Sequence, residues 1–289
     1  MRIGKAVHFS EEALGQLAQI TPLDLEAARS LWGRAVPLRW KRLLESETVG
    51  SVQPLSTPYV WDPRARRYIH LLSRRYIPST VVRDQAVEPL ILLTKNQMRS
   101  LSAQLAQGNT SLADWQQAMM AVIKPAQVAV ALATNGGEEN SSPTDYKKIA
   151  ALILLYLLLF QNFADELESG QQALNGRLMV RSDLYAQSAR SVFEEMRRYG
   201  MSQYVGALQE RRILGLAEHC HTDKVRKGCV ELADLNWQPI NSLPRLGDTP
   251  CWTNCKCRFA FRVRNSEGNW IVVNDRPTIA YILRKTRTV

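Results

Sequence analysis

The stretch AEHCHTDKVRKGCVELADLNWQPINSLPRLGDTPCWTNCKC, residues 217–257, contains all five cysteines of this 289-residue chain. Its spacings are Cys220-x8-Cys229, a 21-residue gap, then Cys251-x3-Cys255-x-Cys257, with His219 and His221 beside the first cysteine. The texture of the chain changes here. Upstream, helical signals dominate. From about residue 213 Cys, Pro, Gly and Asn rise and the helical period disappears. Just beyond the last cysteine, Phe259, Phe261 and Val263 alternate with Arg258, Arg262 and Arg264. Asn265-Ser266-Glu267-Gly268 then supplies a turn and Trp270-Ile271-Val272-Val273 a return strand, so the module is expected to close with a β-hairpin. The reading that follows is a mainly α protein: a helical body, an extended N-terminal arm and a small C-terminal Cys-rich module. Its expected divisions are N-terminal helices and arm over 1–60, helical body over 61–212, Cys-rich module over 213–275 and a basic tail over 276–289.

The helices announce themselves by their ends. Ser10 caps a helix whose first turn carries Glu11 and Glu12, acids suited to the positive end of the helix dipole. Thr21-Pro22-Leu23-Asp24 repeats that logic with Pro at the first helical position. Residues 43–60, rich in Ser and Thr and weakly periodic, read as an extended arm or linker. A helix ends near Gly108, and Ser111-Leu112-Ala113-Asp114 opens another in which Pro125 is expected to force a kink or restart. NGGEENSSP, residues 135–143, is a loop, after which Thr144 is expected to cap a central helix near 145–170. Gly170 and Gly176 bracket a break. The next segment carries an apolar stripe of Leu184, Ala189, Val192, Phe193 and Met196 and ends at Gly200.

The formal charge of +10 is not spread evenly. Residues 61–83 carry +5, through Arg64, Arg66, Arg67, Arg74, Arg75 and Arg83 against Asp62, and residues 256–289 carry +6, which leaves −1 for the rest. An acidic partner is implied, nucleic acid or an acidic protein face. Arg64, Arg66, Arg67, Arg74 and Arg75, interleaved with Tyr68 and Tyr76, are candidate phosphate contacts, as are Arg284, Lys285 and Arg287 in the tail. The bland alternative for the first group is a solvated helix face or salt bridges to a neighbour. The N-terminus places charges and His8 where a signal peptide carries its apolar run, so export is not expected. The longest greasy run, IAALILLYLLLF at 149–160, falls short of the ~20 residues of a spanning helix, so a buried core helix and no membrane partner are expected.

Three readings of the cysteines stay open. Structural zinc takes four N/S ligands in a tetrahedron, one pair from each of two knuckles. Cys220 or His219 with Cys229 would form one half, and two of Cys251, Cys255 and Cys257 the other. Alternatively the thiols are buried and pack with Trp237 and Trp252. Disulfides come third, favoured only in an oxidising setting. Catalytic readings fit poorly. Zinc deaminases need His-x-Glu and Pro-Cys-x-x-Cys, whereas this chain offers His221-Thr222-Asp223 and Pro250-Cys251-x3-Cys255. It has no HExxH, P-loop, G-x-S-x-G or G-x-G-x-x-G. A Cys220–His221 nucleophile pair is the remaining enzyme reading, and neighbours in sequence rarely reach that geometry. No catalytic residue is assigned.

The order of residues across this stretch resembles the C-terminal signature of tailed-phage head morphogenesis proteins, the minor head or minor capsid proteins of the Mu F-like group. The match is carried by Glu218, His219, Cys220, Cys229, Trp237, Leu243, Pro244, Gly247, Cys251, Asn254, Cys255, Lys256 and Cys257. LAQGNTSLADWQQAMMAVIK, FADELESGQ and RSDLYAQSARSVFE resemble the helices upstream, so the likeness runs from about residue 60 to 262. The first cysteine pair departs from the pattern, opened from x2 to x8 by HTDKVRKG. The resemblance implies a non-enzymatic virion protein, present in several copies, that acts in capsid assembly at or near the portal. Its expected partners are portal and major capsid proteins and packaged DNA, and its places the virion head and, during assembly, the host cytoplasm. A nucleic-acid-binding zinc module with a helical oligomerisation domain is the alternative.

Overall fold

A computed structural model describes residues 4–37, 40, 54–203, 208–214, 226–249, 255 and 257–273. Two helices open the chain, α1 (Glu11–Ala18) and α2 (Pro22–Ala35). Ser10 accepts from the Ala13 amide at 3.1 Å, and Thr21 and Asp24 form a reciprocal capping box, as their spacing predicts. A three-stranded antiparallel sheet follows: β1 (Tyr59–Asp62), β2 (Arg67–His70) and β3 (Tyr76–Ile77), in that order. The arginine segment therefore lies on a sheet and its turns. It is not a helix face.

The helical body is α3, α4, α5, α6 and α7. α3 begins with the short turn Ser79–Val82, widens through Arg83–Val87 and continues as Glu88–Gln107. α4 is Leu112–Asn135, α5 Pro143–Glu168, α6 Gly176–Gln187 and α7 Ala189–Ser202. α4 is the hub, packed against α2, α3, α5 and α7. From Ala126 to Ala133 every residue is buried, because small side chains in PAQVAVALAT allow neighbours to approach from all sides. Pro125 neither ends nor restarts this helix; burial on every face holds it together across the missing N–H. Ser142 rather than Thr144 caps α5, since Pro143 suits the first helical position and Asp145 then closes the capping box. α4 and α5 are both long and apolar enough to cross a membrane, so the twelve-residue count understated α5. Here they bury Val128, Leu132, Leu152, Phe160 and Phe163 within the main core.

The end of the expected arm is anchored. Glu138 accepts from the Leu55 amide at 2.6 Å and from Arg29 Nε at 2.8 Å, while its own amide donates to Leu55 O at 2.8 Å. Gly137 has φ 108°, and a Cβ there would stand 2.8 Å from Leu55 O. The loop needs glycine at that point.

A second antiparallel sheet, ordered β5-β4-β6-β7, builds the C-terminal module. Its strands are β4 (Leu208–Ile213), β5 (Gln238–Pro239), β6 (Arg258–Arg264) and β7 (Trp270–Val273). The hairpin β6–β7 is as expected. β4 pairs with β6 over six positions, Leu208 to Ile213 against Val263 to Arg258. Between β4 and β5, a wide turn Arg226–Val230 runs into the short helix α8 (Glu231–Asp234).

Candidate metal centre

The module has its own small core, formed by Met201, Leu208, Leu243, Leu246, Phe259, Phe261 and Val273 with Cys229, Cys255 and Cys257. The cysteines reach it from two directions. Cys229 stands at the end of the wide turn before α8, 1% exposed, with its sulfur 3.4 Å from the Thr249 hydroxyl. Cys255 and Cys257 precede β6, and alternation along an extended chain puts every second residue on one face. Cys255, Cys257, Phe259 and Phe261 are all buried in that register, while Arg258 is exposed.

The three sulfurs lie within 4.8 Å of one another. A tetrahedral thiolate site with Zn–S bonds near 2.3 Å has sulfurs about 3.8 Å apart, so a small inward movement would give three ligands of such a site. Softness, burial and the lack of any carboxylate in the cluster all suit structural zinc better than calcium or magnesium. The other expected ligands, Cys220, Cys251 and His219, lie outside the described residues. Trp237 is not part of the core that holds Cys229, Cys255 and Cys257. Its ring lies beneath Arg211 and Arg262, and the sulfurs pack with Leu243, Leu246, Phe259 and Phe261 instead. Trp252 is outside the described residues.

A set of buried charges fastens this module to α7, and the apolar-stripe reading missed it. Arg198, 4% exposed, donates through Nε to Glu210 Oε2 at 2.7 Å and through Nη2 to Glu210 Oε1 and to Leu243 O. The Leu243 amide donates to Glu210 Oε1 at 3.1 Å, and the Leu246 amide to Glu195 Oε1 at 2.8 Å. Arg212 Nη2 donates to Pro244 O. Glu194 accepts from Arg197 at 2.8 Å and from the Phe259 amide at 3.3 Å. The loop Leu243–Gly247 is thus held at its carbonyls and amides from two elements, and Gly247, at φ 99°, makes the turn that allows it. Burial pushes the Glu195 carboxyl above its ordinary range, against the pull of Arg198. The clamp has no local signal in the sequence, because its partners come from separate elements. Leu208, Glu210 and Arg212 alternate on the inner face of β4, and Glu194, Glu195, Arg197 and Arg198 sit on a helix with little polar surface to spare.

The first-sheet arginines fall in a different place. Arg66, Arg67, Arg74 and Arg75, with Trp61 and Tyr68, line a cavity of about 470 Å³. Arg66 and Arg74 occupy turn positions with φ 55° and 53°. Arg67 lies over Tyr76, its guanidinium carbon 5.6 Å from the ring centroid. Tyr68 is a core residue, edge-on to Tyr59 and Trp61. Arg64 is an exposed turn residue outside the cavity. Arg284, Lys285 and Arg287 lie outside the described residues. No family model, no curated protein and no solved structure matches this chain.

Proposed function

We propose that this chain is a non-enzymatic structural protein of a viral head, a minor head or head morphogenesis protein that works in capsid assembly at or near the portal. The observation that carries the reading is the meeting of Cys229 with Cys255 and Cys257 around the Leu243–Gly247 loop. These are the residues that carry the likeness to the phage head family. In this reading Cys229, Cys255 and Cys257, with one of Cys220, Cys251 or His219, hold a structural zinc. Bound zinc cross-links two distant segments of a module whose own core is small. The helical body supplies surfaces for portal and major capsid proteins, in several copies, in the virion head and in the host cytoplasm during assembly. No membrane partner is invoked.

Two measurements test this. Freshly purified protein should contain about one zinc per chain, and less than about half an equivalent would remove the zinc from the proposal. In the particles of the virus encoding it, a whole-particle density map should place the chain beside the portal vertex. Its absence from purified heads and from portal complexes would defeat the structural role. The second reading, a nucleic-acid-binding zinc module with a helical oligomerisation domain, draws support from the arginine-lined cavity under the first sheet. It requires DNA binding that weakens steeply with salt.

A further inference from the structure

The outer face of the second sheet is a separate surface from the metal centre. Alternation sends Glu210, Arg212, Phe259 and Phe261 inward, and Gln209, Arg211, Ala260 and Arg262 outward, with Trp270 paired opposite Arg264. On that outer face, Arg211 lies 5.2 Å from the centroid of the Trp237 ring. Arg262 lies 4.8 Å from the same ring and 4.7 Å from that of Trp270, and Arg264 lies 5.6 Å from Trp270. These contacts join into one ladder across the sheet: Arg211, Trp237, Arg262, Trp270, Arg264.

The ladder contains no carboxylate. Elsewhere the fold matches arginine with acid, as in Arg29–Glu138, Arg99–Asp183 and Arg190–Glu88. In the ladder, Arg262 Nε donates to Gln209 Oε1 at 2.7 Å and Arg264 Nε to Gly268 O at 3.0 Å, both neutral acceptors. Among the described residues, neither these two nor Arg211 and Arg258 makes an ion pair. The indoles and neutral acceptors fix the guanidiniums in place without cancelling their charge. That arrangement favours an external anion, because Arg offers several N–H donors in a planar fork suited to phosphate.

A cleft of about 790 Å³ adjoins the Arg211–Trp237 end of the ladder and is lined also by Arg258 and by Arg83, which pairs with Asp84 at 3.0 Å. It shares Pro78, Ser79 and Arg197 with the 470 Å³ cavity under the first sheet. Among the described residues, Glu194, paired with Arg197, is the single carboxylate lining either one. Positive charge therefore continues from the ladder toward the first sheet.

We propose that this face binds the sugar-phosphate backbone of duplex DNA. The ligand is a polyanion because Arg211, Arg262 and Arg264 are held in place on one face with Arg258 and, among the described residues, none of the four makes an ion pair. A duplex is favoured over a single strand because each indole already carries two guanidiniums, which leaves no open platform for an unstacked base. The proposal goes beyond a role in the head, which places no residue of this sheet on DNA, and does not depend on zinc.

Fluorescence anisotropy of a short labelled duplex of mixed sequence, titrated with the full-length protein, tests it. If Arg211, Arg258, Arg262 and Arg264 each neutralise one phosphate, the log–log salt slope is about −3.6, and affinity falls about 100-fold between 50 and 200 mM salt. Arg262→Gln with Arg264→Gln should make that slope shallower by about 1.8, while the Arg262→Lys, Arg264→Lys pair keeps it. Retention of the slope by the lysine pair separates lost charge contacts from a damaged fold. The proposal is overturned if the protein does not bind the duplex, or if the glutamine pair keeps the wild-type slope. It is also overturned if a single strand binds more tightly than the duplex. Displacement of the duplex by poly-glutamate as readily as by unlabelled duplex would reassign the face to an acidic protein. None of these results bears on portal association or zinc content, so the two proposals fail separately.

Discussion

Replacing Glu210 with Gln should unfasten the C-terminal module from α7. Glu210 is fully buried, meets the Arg198 guanidinium through both oxygens and also accepts the Leu243 amide. In the variant, Arg198 keeps only Glu195, at 3.5 Å, as a charged partner, and one amide N–H of the new side chain faces a guanidinium N–H. Breaking a buried pair from one side costs about 3–5 kcal/mol, and the remaining Glu195 contact places the expectation at the lower end, about 3 kcal/mol. That corresponds to roughly 100-fold faster hydrogen exchange at amides protected by opening of the module. Exchange followed by mass spectrometry should show the change in β4 and β6 and leave α4 as protected as before. Acceleration of less than about fivefold, or an equal loss across α3, α4 and α5, would refute the assignment of this pair as the fastener. The double replacement Glu210→Met with Arg198→Met supplies the control. A well-packed apolar pair often costs little compared with half of an ion pair, so the double variant should be closer to wild type than the single one.

Three further outcomes follow from the same geometry. Glu195 is held above the ordinary 4.5 of a glutamate by burial, so the folded state keeps its proton where the unfolded state has lost it. Stability from this group is present at low pH and declines as pH rises from about 4.5 through the raised value; Glu195→Gln should remove that decline from a series of urea titrations, and unchanged pH dependence would count against it. A strong zinc chelator should speed exchange around Cys229 and in β6 while the helical body stays protected, whereas unaltered exchange would mean that the sulfurs hold their places without metal. Gly137→Ala forces a Cβ to within 2.8 Å of Leu55 O at a left-handed φ and should cost about 1–3 kcal/mol, a fall of several degrees in Tm. Gly33→Ala, in the exposed part of α2 with nothing within 4 Å of the new Cβ, should leave Tm unchanged or raise it.

Much of the helical body was legible because its signals are local. Ser10, Thr21, Gly108 and Ser111 mark helix ends through bonds or dihedrals that involve residues only a few positions away. The hairpin was legible for the same reason, since the alternation of Phe259 and Phe261 with arginines and the turn at Asn265–Gly268 lie side by side. What escaped depends on distant partners. β4 reads as LQERRI, and Glu210 and Arg212 look like solvent-facing residues until β6 and the 243–247 loop are in place. Pro125 looks like a helix breaker until α2, α3, α5 and α7 surround the helix that carries it. The first sheet escaped because its strands are two to four residues long, too short for a period to register. At the candidate centre, the two-knuckle pattern of zinc ligands brought Cys229 together with two of Cys251, Cys255 and Cys257. Which of the three would join Cys229 was not readable from spacing alone; Cys255 and Cys257 lie beside it.

Cys229 reaches the cluster from the wide turn that leads into α8, with its sulfur 3.4 Å from the Thr249 hydroxyl. The module then has two fasteners with separate tasks. The sulfurs tie the Cys229 turn to the start of β6, and the Glu210–Arg198 pair with Glu195 ties β4 and the Leu243–Gly247 loop to α7. Phe259 is where they meet, since its side chain packs with the cysteines while Arg198 and Arg212 lie over its ring. Separate tasks imply separable failures. With the proposed zinc bound, protein carrying Glu210→Gln should keep the metal while its sheet loosens from α7, and chelated wild-type protein should keep the α7 contact while the Cys229 turn exchanges. Loss of metal from the Glu210→Gln protein would show that clamp and centre form a single cooperative unit, with Phe259 as the coupling residue.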